Sequence, residues 1–148
     1  MPEKETLERA AKDQVEGKSP GSQAGEFVHE EIEHIREGKH GARSAKQAIA
    51  IGLSKARRAG VKLPPPKKGE ASRQTREQAK RDVKKGKKAA KKKPSAKRSR
   101  ATLNALKREG HSAASKTALS RQAHKAAAKR SAASRSRSAK KAAATRKK

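Results

Sequence analysis

The 148-residue chain has no cysteine, tryptophan or tyrosine, and its single aromatic residue is Phe27. Without thiols there are no disulfides and no thiolate metal sites. One aromatic ring cannot build the stacking platforms on which single-strand binders and most RNA modules hold bases. No apolar run approaches the roughly 20 residues of a membrane-spanning helix. The opening "MPEKETLERA" is acidic and polar, unlike a signal or transit peptide, so a cytoplasmic location is expected. Acidic residues are scarce: 14 Asp and Glu face 42 Lys and Arg, a formal net charge of +28. Hydrophobic residues make up only 30% of the chain and charged residues 38%. Ordinary domains are nearer half apolar and a quarter charged, and a chain so far from that balance is poorly placed to offset its own entropy by burial.

What is present falls into two parts. Residues 1–66 hold 12 basic and 10 acidic residues, whereas residues 67–148 hold 30 and 4. The large apolar residues divide the other way. Leu7, Val15, Phe27, Val28, Ile32, Ile35, Ile49, Ile51, Leu53, Val61 and Leu63 precede the run Pro64–Pro66, and only Val83, Leu103, Leu106 and Leu119 follow it. The expected fold is mainly α. It comprises a small unit of about three helices (1–66) ending in a proline-rich arm, then a basic Lys/Arg/Ala/Ser tail (67–148), largely disordered or helical only when bound.

The first helix is expected from a Thr6 cap to Glu16, with Leu7, Ala11 and Val15 as its apolar stripe. The second runs from about Ser22 to Glu37, with Ala24, Phe27, Val28, Ile32 and Ile35 on one face, Glu30, Glu33 and Glu37 on the other, and Gly38 as its stop. The third is "SAKQAIAIGLSKARRAG" (44–60), capped by Ser44 and closed by Gly60. At 100° per residue Ile49, Leu53, Ala45, Ala56 and Gly52 share a core-facing stripe. Ile51 lies on the opposite side beside Arg58, where a protein partner or nucleic acid would touch. Behind the prolines, 71–86 reads as a short surface helix, and 101–110 and 112–129 as two helices around a Gly-containing turn. "REG" recurs at 36–38 and 108–110, a weak internal echo.

Catalytic motifs do not assemble, and no enzyme, cofactor or metal is expected. "HEEIEH" puts His29 and His34 five residues apart, about 140° around a helix, which is not zincin spacing. "EGKS" lacks the first glycine and the preceding strand of a phosphate-binding loop.

The segment 36–69, and above all "SAKQAIAIGLSKARRAG", resembles a bacterial family of small basic proteins of unknown function, often labelled DNA-binding or plasmid stabilization proteins. Residues 87–148 resemble, in composition, the tails of linker-histone-like bacterial proteins. The first resemblance implies only what those labels imply. Composition leads to sequence-tolerant binding of duplex DNA by phosphate neutralisation, of nucleoid-associated type. The cations expected to carry it are Lys55, Arg57 and Arg58 in the third helix, and Lys84, Lys85, Lys87, Lys88, Lys91, Lys92, Lys93, Lys97, Arg98 and Arg100 behind the prolines. Lys125, Lys129, Arg130, Arg135, Arg137, Lys140, Lys141, Arg146, Lys147 and Lys148 complete the set towards the C-terminus. Self-association would supply burial that eleven large apolar residues do not. Two other readings stay open: an RNA- or ribosome-associated protein, and an antitoxin-like or phage-packaging interaction module whose basic tail is secondary.

Overall fold

The computed structural model describes residues 2–87 and 95–146. Seven helices follow one another there: α1 (Lys4–Val15), α2 (Pro20–Arg36), α3 (Ala45–Ala59), α4 (Arg73–Gly86), α5 (Ala96–Lys107), α6 (Lys116–Ala128) and α7 (Ala132–Arg146). A 3₁₀ turn, Ser112–Ala114, joins α5 to α6. Serine hydroxyls open four of them: Ser19, Ser44, Ser72 and Ser115 each accept a first-turn N–H at 3.2 Å, which satisfies a donor the helix itself leaves unpaired. Gly38 and Gly60 close α2 and α3 at φ 75° and 105°, a left-handed geometry that costs glycine nothing.

α2 and α3 form the central pair. Ala45, Ala48, Gly52 and Ala56 are the buried stripe of α3. A Cβ at position 52 would stand 2.7 Å from the Val28 Cα, so the glycine lets the two backbones meet. The stripe is centred on these small residues rather than on Ile49. Ile49 and Ile51 are both half-buried on its flanks, and Leu53 packs against Ala10, Ala24, Phe27 and Ala56. α2 buries Ala24, Phe27, Ile32 and Ile35 as its periodicity requires, but Glu30 and Glu31 are buried too.

α1 turns the face opposite to the one expected. Thr6, Ala10 and Asp13 are buried, whereas Leu7 and Val15 are exposed. Thr6 does not cap the helix; Glu3 stands at that position. Polar contacts set the rotation: Arg9 Nε donates to Glu26 Oε2 at 2.7 Å, and the Glu3 N–H donates to Glu30 Oε2 at 3.0 Å. Ala10 then seats the helix close on Phe27.

A three-helix unit with a largely disordered tail is not what forms. Four helices and the 3₁₀ turn follow the prolines, and the core crosses them. Ala113 and Ala114 are buried in one cluster with Ile32, Ile35, Ala42 and Ala48, and Leu119 of α6 packs against it. α4 docks on α3 so closely that a Cβ on Gly86 would stand 2.1 Å from the Arg57 carbonyl oxygen. Asp82 of α4 is buried against the Ser54 hydroxyl, which donates to it at 2.6 Å. The reason is the size of the core residues. Large apolar side chains are rare behind Pro66, but alanine, glycine and backbone fill a close-packed seam at small separation. Ala, Lys and Arg are also strong helix formers. Among the described residues, no helix is long and apolar enough to cross a membrane.

Candidate nucleic-acid interface

Three of the expected interface cations belong to α3, and the fold uses them internally. Lys55 Nζ stands 3.0 Å from Glu30 Oε1 and 2.7 Å from Glu31 Oε2. Burial works against its charge, but the two carboxylates outweigh it and its pKa is raised. Glu30 shows the converse. Burial opposes ionisation, yet Lys55, the Glu3 N–H and Thr6 hold its pKa below the usual carboxylate range. Arg57 is buried and donates to the carbonyls of Leu63 and Pro64 at 3.4 and 3.2 Å. Burial pushes its pKa down, with Asp82 opposing. It anchors the start of the proline arm to α3. Arg58 is exposed, but its Nε lies 3.7 Å from Asp82. Lys55 and Arg57 therefore hold the fold together and present little to a ligand.

The acidic residues of α2 and its C-cap are matched in the same local way. Glu26 pairs with Arg9, Glu30 and Glu31 with Lys55, Glu33 with Arg36, and Glu37 with Lys39. Each finds a cation within the first 66 residues.

The remaining described cations of the expected set are exposed. Lys84, Lys85 and Lys87 end α4; Lys97, Arg98 and Arg100 lie on α5; Lys125 and Lys129 lie at the end of α6. Arg130 donates to the hydroxyls of Ser134 and Ser138 and so ties the α6–α7 turn to α7. Arg135, Arg137, Lys140, Lys141 and Arg146 are exposed along α7. Lys88, Lys91, Lys92, Lys93, Lys147 and Lys148 lie outside the described residues.

One of these cations, Lys125, converges with three that the sequence did not single out. An open cleft of about 270 Å³ lies between the start of α3 and the face of α6, lined by Arg43, Lys46, Arg121 and Lys125 together with Ser44 and Gln122. All four cations are exposed, and Arg43 also reaches the Glu109 carboxylate at 3.4 Å. The cleft also faces the N-terminus of α3, where partial positive charge and first-turn N–H groups gather. On α6, Ala118, Arg121, Gln122 and Lys125 share one face at helical spacing, while Leu119 beside it packs inward. Packing on the core thus fixes the direction of the basic face. Four cations and a helix N-terminus around a cleft of this size suit an anionic oxygen cluster such as a backbone phosphate.

Residues 16–68, about a third of the chain, match the model of a family of unknown function, DUF6496. That description assigns no activity. No curated protein and no solved structure matches the chain.

Proposed function

We propose that the protein binds duplex DNA with little sequence preference, through phosphate neutralisation, in a nucleoid-associated or plasmid-maintenance role in the cytoplasm. The observation that carries this reading is the cleft of Arg43, Lys46, Arg121 and Lys125 at the α3 N-terminus. Two of its cations, Arg121 and Lys125, belong to a stretch of sequence, residues 83–148, with 24 basic residues and one acidic residue, Glu109. In the mechanism, the cleft holds a phosphate in a fixed place while the exposed cations of α4 to α7 follow the backbone on either side. Each phosphate neutralised releases counterions, so affinity falls steeply with salt, with a log–log slope of about −0.9 per contact. The scarcity of aromatics supports duplex backbone contact over base stacking.

The test is a salt titration of duplex binding by the full chain and by the double variant Arg121→Ala/Lys125→Ala. A steep slope for the parent, reduced by about 2 in the variant, supports the reading. Equal slopes sink it. Structured RNA as competitor separates the RNA-associated reading, which needs RNA to displace the duplex at matched phosphate concentration.

A further inference from the structure

Glu31, His34 and His40 bring one ligand atom each to within 4.8 Å of one another. Glu31 and His34 are i and i+3 on α2, so they share a face. The Gly38 turn then reverses the chain, with the Lys39 N–H donating to the His34 carbonyl at 2.9 Å, and brings His40 back against them. "HEEIEH" concealed this arrangement, because the second imidazole comes from the loop and not from His29.

Three observations point to a cation between these groups. His40 Nδ1 lies 3.1 Å from the Gly41 carbonyl oxygen. A carbonyl only accepts, so Nδ1 carries a proton and Nε2 is the ring's one possible ligand atom. That Nε2 faces Glu31 Oε1 at 3.3 Å. The spacing equals that of two ligands on a tetrahedral ion with bonds near 2.0–2.1 Å, about 3.3 Å. Second, Glu31 is fully buried, and neither of its oxygens is held by a well-directed hydrogen bond. Third, Glu30 and Glu31 share the single ammonium of Lys55, whose contact with Glu31 is to Oε2. One ammonium serves two buried carboxylates, and Glu31 Oε1 is the oxygen that Lys55 leaves to face His40.

We propose that Glu31, His34 and His40 bind one divalent transition-metal ion of the zinc class. Two imidazoles and a carboxylate suit zinc rather than magnesium or calcium. Glu3, whose Oε1 lies 2.8 Å from His34 Nε2, stands outside the triad as the carboxylate that orients the His34 ring. The ion serves as a staple. The loop it fixes is the one that receives α5, because the Gly41 and Ala42 N–H groups donate to the carbonyls of Leu106 and Gly110 at 2.9 and 3.1 Å. A small alanine-rich core gains from such a cross-link.

The experiment titrates Zn²⁺, and Co²⁺ as a spectroscopic probe, into the metal-stripped full-length protein. Expected are one ion per chain, a tetrahedral Co²⁺ absorption band and a higher thermal midpoint with Zn²⁺. His40→Ala should weaken binding by at least about 100-fold, and Glu3→Gln by about 10-fold. His29→Ala and His124→Ala should leave it unchanged. Should Glu31→Gln fail to fold, His34→Gln carries the ligand test, because that ring lies nearer the surface. Absence of stoichiometric binding overturns the proposal and assigns a proton to the gap between His40 and Glu31. Binding that survives His40→Ala overturns it as well.

Discussion

Gly41 and Glu109 meet backbone to backbone: a methyl group added at position 41 would sit 2.0 Å from the Glu109 carbonyl oxygen. That contact, with the Gly41 N–H to Leu106 bond, is where the C-terminal helices seat on the α2–α3 pair. Gly41→Ala should cost about 1–3 kcal/mol, as overpacking does. The loss should appear first as faster amide exchange in α5 and α6, with α2 and α3 still protected. Uniform loss of protection would show that the seat is not separable from the core.

The rotation of α1 is tested by substitution on both faces. Leu7→Ser and Val15→Ser, apolar residues in the expected stripe, should each change stability by less than about 0.5 kcal/mol, as exposed sites do. Ala10→Leu should cost about 1–3 kcal/mol by overpacking. Chemical denaturation of the three variants decides. A large loss from Leu7→Ser would restore the face that sequence periodicity favours.

The Glu30–Lys55 pair sets a pH window. The Glu30 pKa is lowered by folding, so its contribution is present above the unfolded value, about 4.3, and is lost as pH falls through the folded one. The Lys55 pKa is raised, so its contribution is full below about 10.4 and is lost as pH rises through the folded value. The pair's own contribution should therefore be flat between these limits and fall outside them. Lys55→Met leaves two buried carboxylates without their ammonium and should cost about 3–5 kcal/mol at neutral pH. Thermal melts across pH should show that penalty shrinking as the carboxylates protonate.

The cleft makes a prediction that net charge alone does not. Lys46→Glu and Lys62→Glu change the total charge equally, and both lysines are exposed. Only Lys46 lines the cleft. Duplex affinity at moderate salt should fall further for Lys46→Glu than for Lys62→Glu. Equal losses would mean that binding is diffuse and that the cleft has no special role.

Much of the α2–α3 pair was legible because local chemistry and periodicity agreed there. Ser44, Gly60 and Gly38 mark ends by capping physics, and Phe27, Ile32 and Ile35 mark a face by spacing. α1 was misread because its rotation is fixed by Arg9, Glu26 and Glu30, and polar pairing leaves no periodic signal. The C-terminal helices are legible as short helices, but their docking is not, because Ala113 and Ala114 carry core positions that a count of large apolar residues overlooks. At the candidate interface, Lys125 was legible from charge density. Arg43 and Lys46 join Arg121 only through tertiary packing across more than 70 residues of chain. The one available signal was local: Arg121 and Lys125, four apart, lie off the side that carries Leu119.

The α2–α3 seam also bears on the order in which the chain assembles. Its contacts join neighbouring helices across one short loop, through alanines and a glycine that have almost no rotamers to lose. Pairings of this kind close early, because little chain must be confined to make them. The Gly41–Leu106 bond joins residues 65 apart in sequence and must wait for a much larger loop. A helical hairpin formed first, with α5 and α6 arriving afterwards, would give refolding in which the seam is protected from exchange before the basic cleft exists.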